Sequence, residues 1–270
     1  MSEVRPQGRN EIKQLLADHG LRPQRRLGQH FLADPNLVER IVIEAAVEPG
    51  DRVLEVGPGT GTLTRALAAA GASVVAYEVD RTLRSLLEAV VEGLDVDLRF
   101  EDALVADWAG EFSSGRWKMV ANLPYNVGTP ILLDAVRTAK GIGRFVVMVQ
   151  KEVAQRLVAE PGSKQYGLPS VVARLHTEPR LAFRVSPTVF LPPPDVESAV
   201  VVLDRVKAHP LAEEAGRLAS LAFQQRRKML RGTLADRVDR SAFEAAEVSP
   251  SARPEELSAA DFLRLAEVIA

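Results

Sequence analysis

The chain contains no cysteine. Disulfides, thiolate nucleophiles and cysteine-ligated zinc are excluded together. Histidine is scarce as well: His19, His30, His176 and His209 stand far apart without metal-binding spacing, so no metal is expected. No apolar run reaches the roughly 18 residues a spanning helix needs. The polar start MSEVRPQGRNEIK lacks the apolar centre of a secretion signal. A cytoplasmic protein with no membrane partner is the simplest expectation. A large charge excess is also missing, because the net charge is −2. The distribution says more than the sum. Residues 1–32 hold six Arg or Lys against three Asp or Glu, including the basic linker Arg22-Pro23-Gln24-Arg25-Arg26. Phe223 to Arg231, FQQRRKMLR, holds Arg226, Arg227, Lys228 and Arg231 with no acid. Such clusters can neutralise phosphates. Taken alone, a solvated helix face explains this one equally well.

What is present is a core-forming composition, 46% hydrophobic over 270 residues, enough for one large domain or one large and one small. Arg52 to Asp80 organises the rest. An apolar run, Val53 to Val56, reads as a buried parallel strand. A glycine turn follows at Gly57, Gly59 and Gly61, then a helix to about Ala70, then a second strand, Val74 to Tyr77, ending at Glu78. Glycines let the backbone pass close under a ligand that a helix N-terminus faces, and a carboxylate after the second strand can accept from both ribose hydroxyls. The turn has no lysine, which excludes a triphosphate loop. Its spacing is G-x-G-x-G, not the G-x-G-x-x-G of dinucleotide enzymes. The acidic approach Leu54-Glu55-Val56-Gly57 favours S-adenosylmethionine, with a dinucleotide enzyme as the lesser alternative.

Further along, Asn10 to Leu21 reads as a helix. Asp34-Pro35 opens another, with Asp34 as cap and Pro35 in the first turn. Helices are expected at Asp80 to Val91 and Thr129 to Thr138. Strands are expected at Val96 to Phe100, Trp117 to Ala121 and Arg144 to Val149. This alternation gives an α/β, mostly parallel sheet, whose ligands bind beyond the carboxyl ends of the strands. Glu78, Asp102 and Asn122 all fall there. Beyond Pro179 come two more strands, Leu181 to Val185 and Ser198 to Leu203, joined by the stiff loop Pro187 to Pro194. Short helices follow the linker Lys207-Ala208-His209-Pro210.

The chemistry centres on Asn122-Leu123-Pro124-Tyr125. The lone pair of an exocyclic adenine amine is delocalised into the ring. It becomes nucleophilic when acceptors hold both N–H groups. The Asn122 side-chain oxygen and the Leu123 carbonyl can be those acceptors, Pro124 fixes the backbone, and Tyr125 can stack on the base. Phe190 is equally readable as a second stacking ring or as a core residue. Asp102 can accept from the cofactor's adenine amine or cap its own turn. His30 has no partner that the sequence names.

The segments LGQHFL (27–32), EVGPGTGTLT (55–64), YEVD (77–80), EDAL (101–104), NLPY (122–125), VVMVQKEVAQRL (146–157), FLPPPDVESAVV (190–201) and FQQRRKMLR (223–231) occur in this order. Through them the chain resembles the small-subunit ribosomal RNA adenine N6,N6-dimethyltransferases, relatives of the erythromycin-resistance methyltransferases of large-subunit RNA. The resemblance implies a Rossmann-like class I methyltransferase sheet with a small C-terminal α-helical domain. It implies S-adenosylmethionine as cofactor, held by His30, Leu32, Gly57, Gly59, Glu78, Asp102 and Asn122, with S-adenosylhomocysteine as product. Asn122, Leu123, Pro124, Tyr125 and Phe190 would hold the adenine. Three positions depart from the usual pattern: His30 and Gly232 stand where asparagine is common, and Asp195 where a basic residue is usual.

The expected domains are 1–205, catalytic, and 206–270, docking RNA through Arg226, Arg227, Lys228 and Arg231. The expected reaction is dimethylation of two adjacent adenosines near the 3′ end of 16S ribosomal RNA, in a precursor of the small subunit, by a monomer. A macrolide-resistance methyltransferase of large-subunit RNA, a non-enzymatic assembly factor and, more weakly, a DNA adenine methyltransferase are the alternatives.

Overall fold

A computed structural model describes residues 5–24 and 27–270; Arg25 and Arg26 of the basic linker lie outside the described residues. In chain order the elements are α1 (Arg9–Asp18), β1 (Phe31–Leu32), α2 (Pro35–Glu44), β2 (Arg52–Val56), α3 (Thr62–Ala69), β3 (Ser73–Tyr77), α4 (Arg84–Val90), β4 (Val96–Arg99), α5 (Trp108–Glu111), β5 (Trp117–Asn122), α6 (Gly128–Thr138), β6 (Ile142–Gln150), α7 (Lys151–Val158), α8 (Leu168–His176), β7 (Thr177–Val185), β8 (Phe190–Leu191), β9 (Ser198–Arg205), α9 (Ala212–Phe223), α10 (Leu230–Thr233), α11 (Arg240–Ala245) and α12 (Ala259–Ile269).

Seven strands form one sheet in the order β4-β3-β2-β5-β6-β9-β7. β2 runs parallel to β3 and β5, β3 to β4, and β5 to β6. β2 and β5 are buried over most of their length, as strands covered on both faces must be. The chain winds outward from β2 through β3 to β4, then returns to start the other half at β5. The switch point between β2 and β5 is where such a sheet leaves a crevice. Gly57 follows β2, and Asn122 ends β5. α2 starts as expected: the Asp34 carboxylate accepts from the Leu37 N–H at 3.1 Å, and Pro35 occupies the first turn. Its Leu37, Val38 and Ile41 join Leu63 and Leu67 of α3 over Val53, Val74, Val120 and Val146 of the sheet.

The helix expected from Asp80 is split. The Asp80 carboxylate accepts from the Thr82 N–H and hydroxyl, tightening Arg81–Leu83 into a 3-10 turn before α4 begins. A small ribbon is new. β1 and β8 pair antiparallel, with Phe31 opposite Leu191 and Leu32 opposite Phe190. Arg9 of α1 anchors it, donating to the carbonyls of Phe190 at 3.0 Å and of Thr188.

The chain divides into two compact units, and not at the single boundary expected after 205. One unit is residues 1–154 with 181–203; the other is 155–180 with 204–270. The reason lies in α8 and the turn before it. Tyr166, Val171 and Leu175 pack with Ala215, Leu218, Ala219 and Ala222 of α9 and with Phe262, Leu265 and Ala266 of α12 in one apolar core. The Tyr166 hydroxyl donates to the Leu257 carbonyl at 2.8 Å inside that core. Tyr166→Phe is therefore expected to lower stability by about 1–2 kcal/mol, because a buried acceptor loses its donor without a change of shape. Chemical denaturation measures it.

Candidate active site

A cavity of about 230 Å³ opens beyond the carboxyl ends of β2, β3 and β5. Most of the expected residues line it: His30, Leu32, Gly57, Gly59, Glu78, Asp102 and Asn122 through Tyr125. The glycine turn forms its floor. Gly57, Gly59 and Gly61 all have left-handed backbone angles, with φ of +74°, +59° and +76°. A Cβ at Gly57 would touch the Pro124 ring at 3.4 Å, so the turn after β2 packs directly under Asn122-Leu123-Pro124-Tyr125. A Cβ at Gly59 would come within 2.9 Å of the Phe31 ring. Gly59→Ala is expected to cost about 1–2 kcal/mol of backbone strain, beyond the clash, and to abolish detectable cofactor binding. Calorimetry at a temperature where the variant is folded checks it.

Glu78 is held as a ligand-facing carboxylate. Its Oε2 accepts from the Gly59 N–H at 3.2 Å and its Oε1 from the Asp80 N–H at 2.9 Å. Burial pushes its pKa up to about 7, against the pull of those N–H groups. Asp80 is an anchor. Its Oδ2 accepts from Gln24 Nε2 at 2.9 Å and Gln29 Nε2 at 2.7 Å, tying down the segment that leads into His30. Asp102 lines the cavity and also caps its own turn, accepting from the Leu104 N–H at 2.9 Å. Both readings of Asp102 coexist.

Glu55, whose acidic approach to the turn favoured S-adenosylmethionine in the sequence, was not among the expected site residues, yet the structure places it at the cavity. It is 1% exposed, it lines the cavity, and its Oε2 has no hydrogen-bond partner. Burial pushes its pKa up to about 8, against the pull of the Thr64 hydroxyl and with a smaller push from the nearby Glu78 carboxylate. The signal was a charged residue inside an otherwise apolar strand, RVLEV. Such a carboxylate suits a cationic ligand group.

At the end of β5, the Asn122 side chain is oriented by one contact. Its Nδ2 donates to the His30 carbonyl at 3.3 Å. That leaves Oδ1 buried and without a partner. The Leu123 N–H donates to the Met148 carbonyl at 3.1 Å, while no described residue donates to the Leu123 carbonyl. Two acceptors on consecutive residues therefore lack a donor among the described residues. The Pro124 carbonyl accepts from the N–H of Gly128 at 2.7 Å and of Val127 at 3.3 Å, closing the turn. Gly128 is required there, since a Cβ would sit 2.8 Å from that of Leu123. Tyr125 is fixed at its far end by a hydrogen bond with the fully buried Ser198 hydroxyl.

Two expectations need correction. Phe190 does not reach the cavity. It is fully buried in one apolar cluster with Leu32, Phe183, Val185 and Val200. Arg226 is not a free cation. Its Nε pairs with Glu255 at 2.5 Å and its Nη2 donates to the Lys164 carbonyl at 2.9 Å. Arg227, Lys228 and Arg231 are exposed in the same unit.

Residues 20–270 match the protein family described as ribosomal RNA adenine dimethylase. The ribosomal RNA small subunit methyltransferase A of Leifsonia xyli subsp. xyli is 43% identical over 98% of this chain and 99% of its own. That of Magnetococcus marinus is 45% identical over 83% and 82%. Among solved structures, the 23S rRNA methyltransferase ErmE is 26% identical, with a TM-score of 0.69 over 88% of this chain and 99% of that one. A dimethyladenosine transferase from Plasmodium falciparum, at 23% identity, shares the fold with a TM-score of 0.72 over 87% and 96%. With a Rossmann-like sheet, a glycine turn at its switch point and two free acceptors beside it, the chain belongs to the ribosomal RNA adenine dimethylase family.

Proposed function

We propose that the protein dimethylates the N6 amines of two adjacent adenosines near the 3′ end of 16S ribosomal RNA, in a small-subunit precursor. It would act as a cytoplasmic monomer. One observation carries the reading: Asn122 Oδ1 and the carbonyl of the next residue, Leu123, have no donor among the described residues, and Oδ1 is buried. An unsatisfied buried acceptor costs free energy unless a ligand donates to it. An exocyclic amine has the two N–H groups that this pair needs. Holding both draws the nitrogen out of conjugation and turns its lone pair away from the acceptors. Positioning is then the main catalytic effect.

The residues present fit S-adenosylmethionine. Glu78 would take the ribose hydroxyls, the Gly57–Gly61 turn the backbone approach, Asp102 the adenine amine, and Glu55 a cationic group through its unpartnered oxygen. When bound, the cofactor supplies an electrophilic methyl group on a sulfonium. The acceptor nitrogen comes from the RNA adenine, which would lose a proton as it gains the methyl group; the chain's own residues hold and orient it. In the helical unit, Arg227, Lys228 and Arg231 would dock an assembled particle, since a near-neutral chain holds naked RNA weakly.

The test is incubation with labelled S-adenosylmethionine and small subunits lacking these methyl groups. Four methyl groups per subunit, two on each of neighbouring adenosines, are expected. The likeness to ErmE supports a second reading, with large-subunit RNA as acceptor. Incorporation only into naked large-subunit RNA would establish it and refute the first.

A further inference from the structure

A second hollow lies one hydrogen bond away from the active-site cavity. It is a groove of about 460 Å³ between α1, residues 21–23, Leu191 of β8 and the Pro192 that follows it. The methyl-transfer route makes no use of it. We propose that this groove seats a nucleotide of the substrate RNA flanking the target adenosine, its base on the apolar floor and its phosphate on Lys13 and Arg22. This rests on the RNA-adenine-methylating reading of the site.

The local sequence builds the groove. α1 ends at Asp18, and Gly20 takes a left-handed φ of +65°. The Leu21 N–H then donates to the Leu16 carbonyl at 2.8 Å and the Gly20 N–H to the Ala17 carbonyl at 3.0 Å, a left-handed helix cap that turns the chain back along α1. Arg9 fastens the helix to the β8 segment through the carbonyls of Thr188 and Phe190. Leu16 is buried, and Leu21 and Leu191 pack half-buried against its cluster. With Pro192 they make the floor.

Charge singles out the ligand class. Four cations are described between residues 5 and 24. Arg5 pairs with Glu11, and Arg9 is held by its two carbonyls. Lys13 and Arg22, the two that line the groove, are exposed and have no partner among the described residues. None of the described lining residues is acidic. Flat apolar surface beside unpaired cations matches a nucleotide, whose base has apolar faces and whose phosphate carries the charge. Position supplies the rest. The Pro192 carbonyl accepts from His30 Nδ1 at 2.8 Å, so a residue lining the groove touches one lining the cavity. An RNA strand with one base in the cavity carries its neighbours over that rim, and the groove is the adjoining hollow.

Two measurements on the full chain test this. The first compares Lys13→Ala, Arg22→Ala and the double variant with the parent: Kd for unmethylated small subunits at several salt concentrations, kcat with saturating subunits, and cofactor affinity. At about 0.1 M salt one phosphate contact to a single strand is worth about fivefold. Each single variant is expected to raise Kd about fivefold and the double about 25-fold, with the salt slope of log Kd falling by about 0.7 for each cation removed. The kcat and the cofactor affinity should stay within about twofold, because neither side chain lines the cavity. The second places a benzophenone side chain at Ala17, which is exposed and lines the groove. Irradiated with unmethylated subunits, it should cross-link a nucleotide flanking the methylated pair, located by reverse transcription. A double variant with the parent's Kd and salt slope overturns the proposal. So does a cross-link to a ribosomal protein, to a second copy of this chain or to RNA remote from the target. Should the parent leave small subunits unmethylated, the functional reading fails by itself. The same two measurements on the RNA that is methylated then decide the groove.

Discussion

Asn122→Ala is expected to lower the rate of methyl transfer by about 10²–10³-fold, the usual consequence of deleting one preorganised polar group from a reacting centre. The side chain does two things in this structure. Its Nδ2 binds the His30 carbonyl, and its Oδ1 is an orphan. Alanine removes both, leaving the Leu123 carbonyl to hold one N–H of the amine while the other is free and the nitrogen stays conjugated. The binding of S-adenosylmethionine should change far less, because Glu55, Glu78 and the glycine turn are untouched. The loss therefore falls on turnover with both substrates saturating, which single-turnover transfer measures. Asn122→Asp sharpens the test. It keeps an acceptor near the Oδ1 position but turns a second oxygen towards the His30 carbonyl, where a donor stood at 3.3 Å. Its rate should fall between those of the parent and the alanine variant. An alanine variant within fivefold of the parent would remove Asn122 from the mechanism and revive the non-enzymatic assembly factor.

Why some of this was readable in the sequence and some was not follows from the range of the interactions. Strand, turn and helix around Gly57 are local: unbroken apolar runs, glycines where φ must be positive, and Asp34-Pro35 as a cap need only near neighbours. Seven strand ends then follow from the alternation, and with them Glu78, Asp102 and Asn122. The misplacements are all long-range. Phe190 is readable as ring or core until its surroundings are known, and those come from residues far apart in the chain, Leu32, Phe183 and Val200. Arg226 looks free until Glu255, far along the chain, is placed beside it. Residues 155–180 carry no boundary signal in composition. They leave the sheet's unit because Tyr166, Val171 and Leu175 find their apolar partners in α9 and α12. Glu55 is the instructive middle case. Its position in an apolar strand pointed to the cofactor, but only its burial at the cavity, with one oxygen unpartnered, shows which part of the residue a ligand could use.

The buried Glu55 carboxylate, with one oxygen unpartnered, gives the second large effect, a steep dependence of cofactor affinity on pH. Without ligand, burial raises Glu55 to about 8 and Glu78 to about 7, from an unfolded value near 4.5. The donor is cationic at its sulfonium and ammonium, so it favours both carboxylates ionised. Binding must then expel protons wherever the free protein holds them. Between about pH 8.5 and pH 6 the affinity should weaken by about 10²–10³-fold, approaching two protons released per cofactor at the acid end. The stability of the ligand-free protein has the opposite sign. Its folded state binds more protons than the unfolded chain between about pH 4.5 and pH 8. The contribution of these two groups is complete below about pH 4.5 and is lost as pH rises through 7 to 8. Glu55→Gln separates the two effects. It removes the buried ionisation, so the ligand-free variant should be more stable than the parent at pH 8 by about 1–2 kcal/mol. It should also bind the cofactor more weakly at pH 8 while losing about half of the pH dependence. Calorimetry in buffers of different ionisation enthalpy counts the protons directly. A parent protein that releases none at pH 7 would show that Glu55 and Glu78 are already ionised in the free protein, and with that the assignment of Glu55 as the seat of the cationic group would fall.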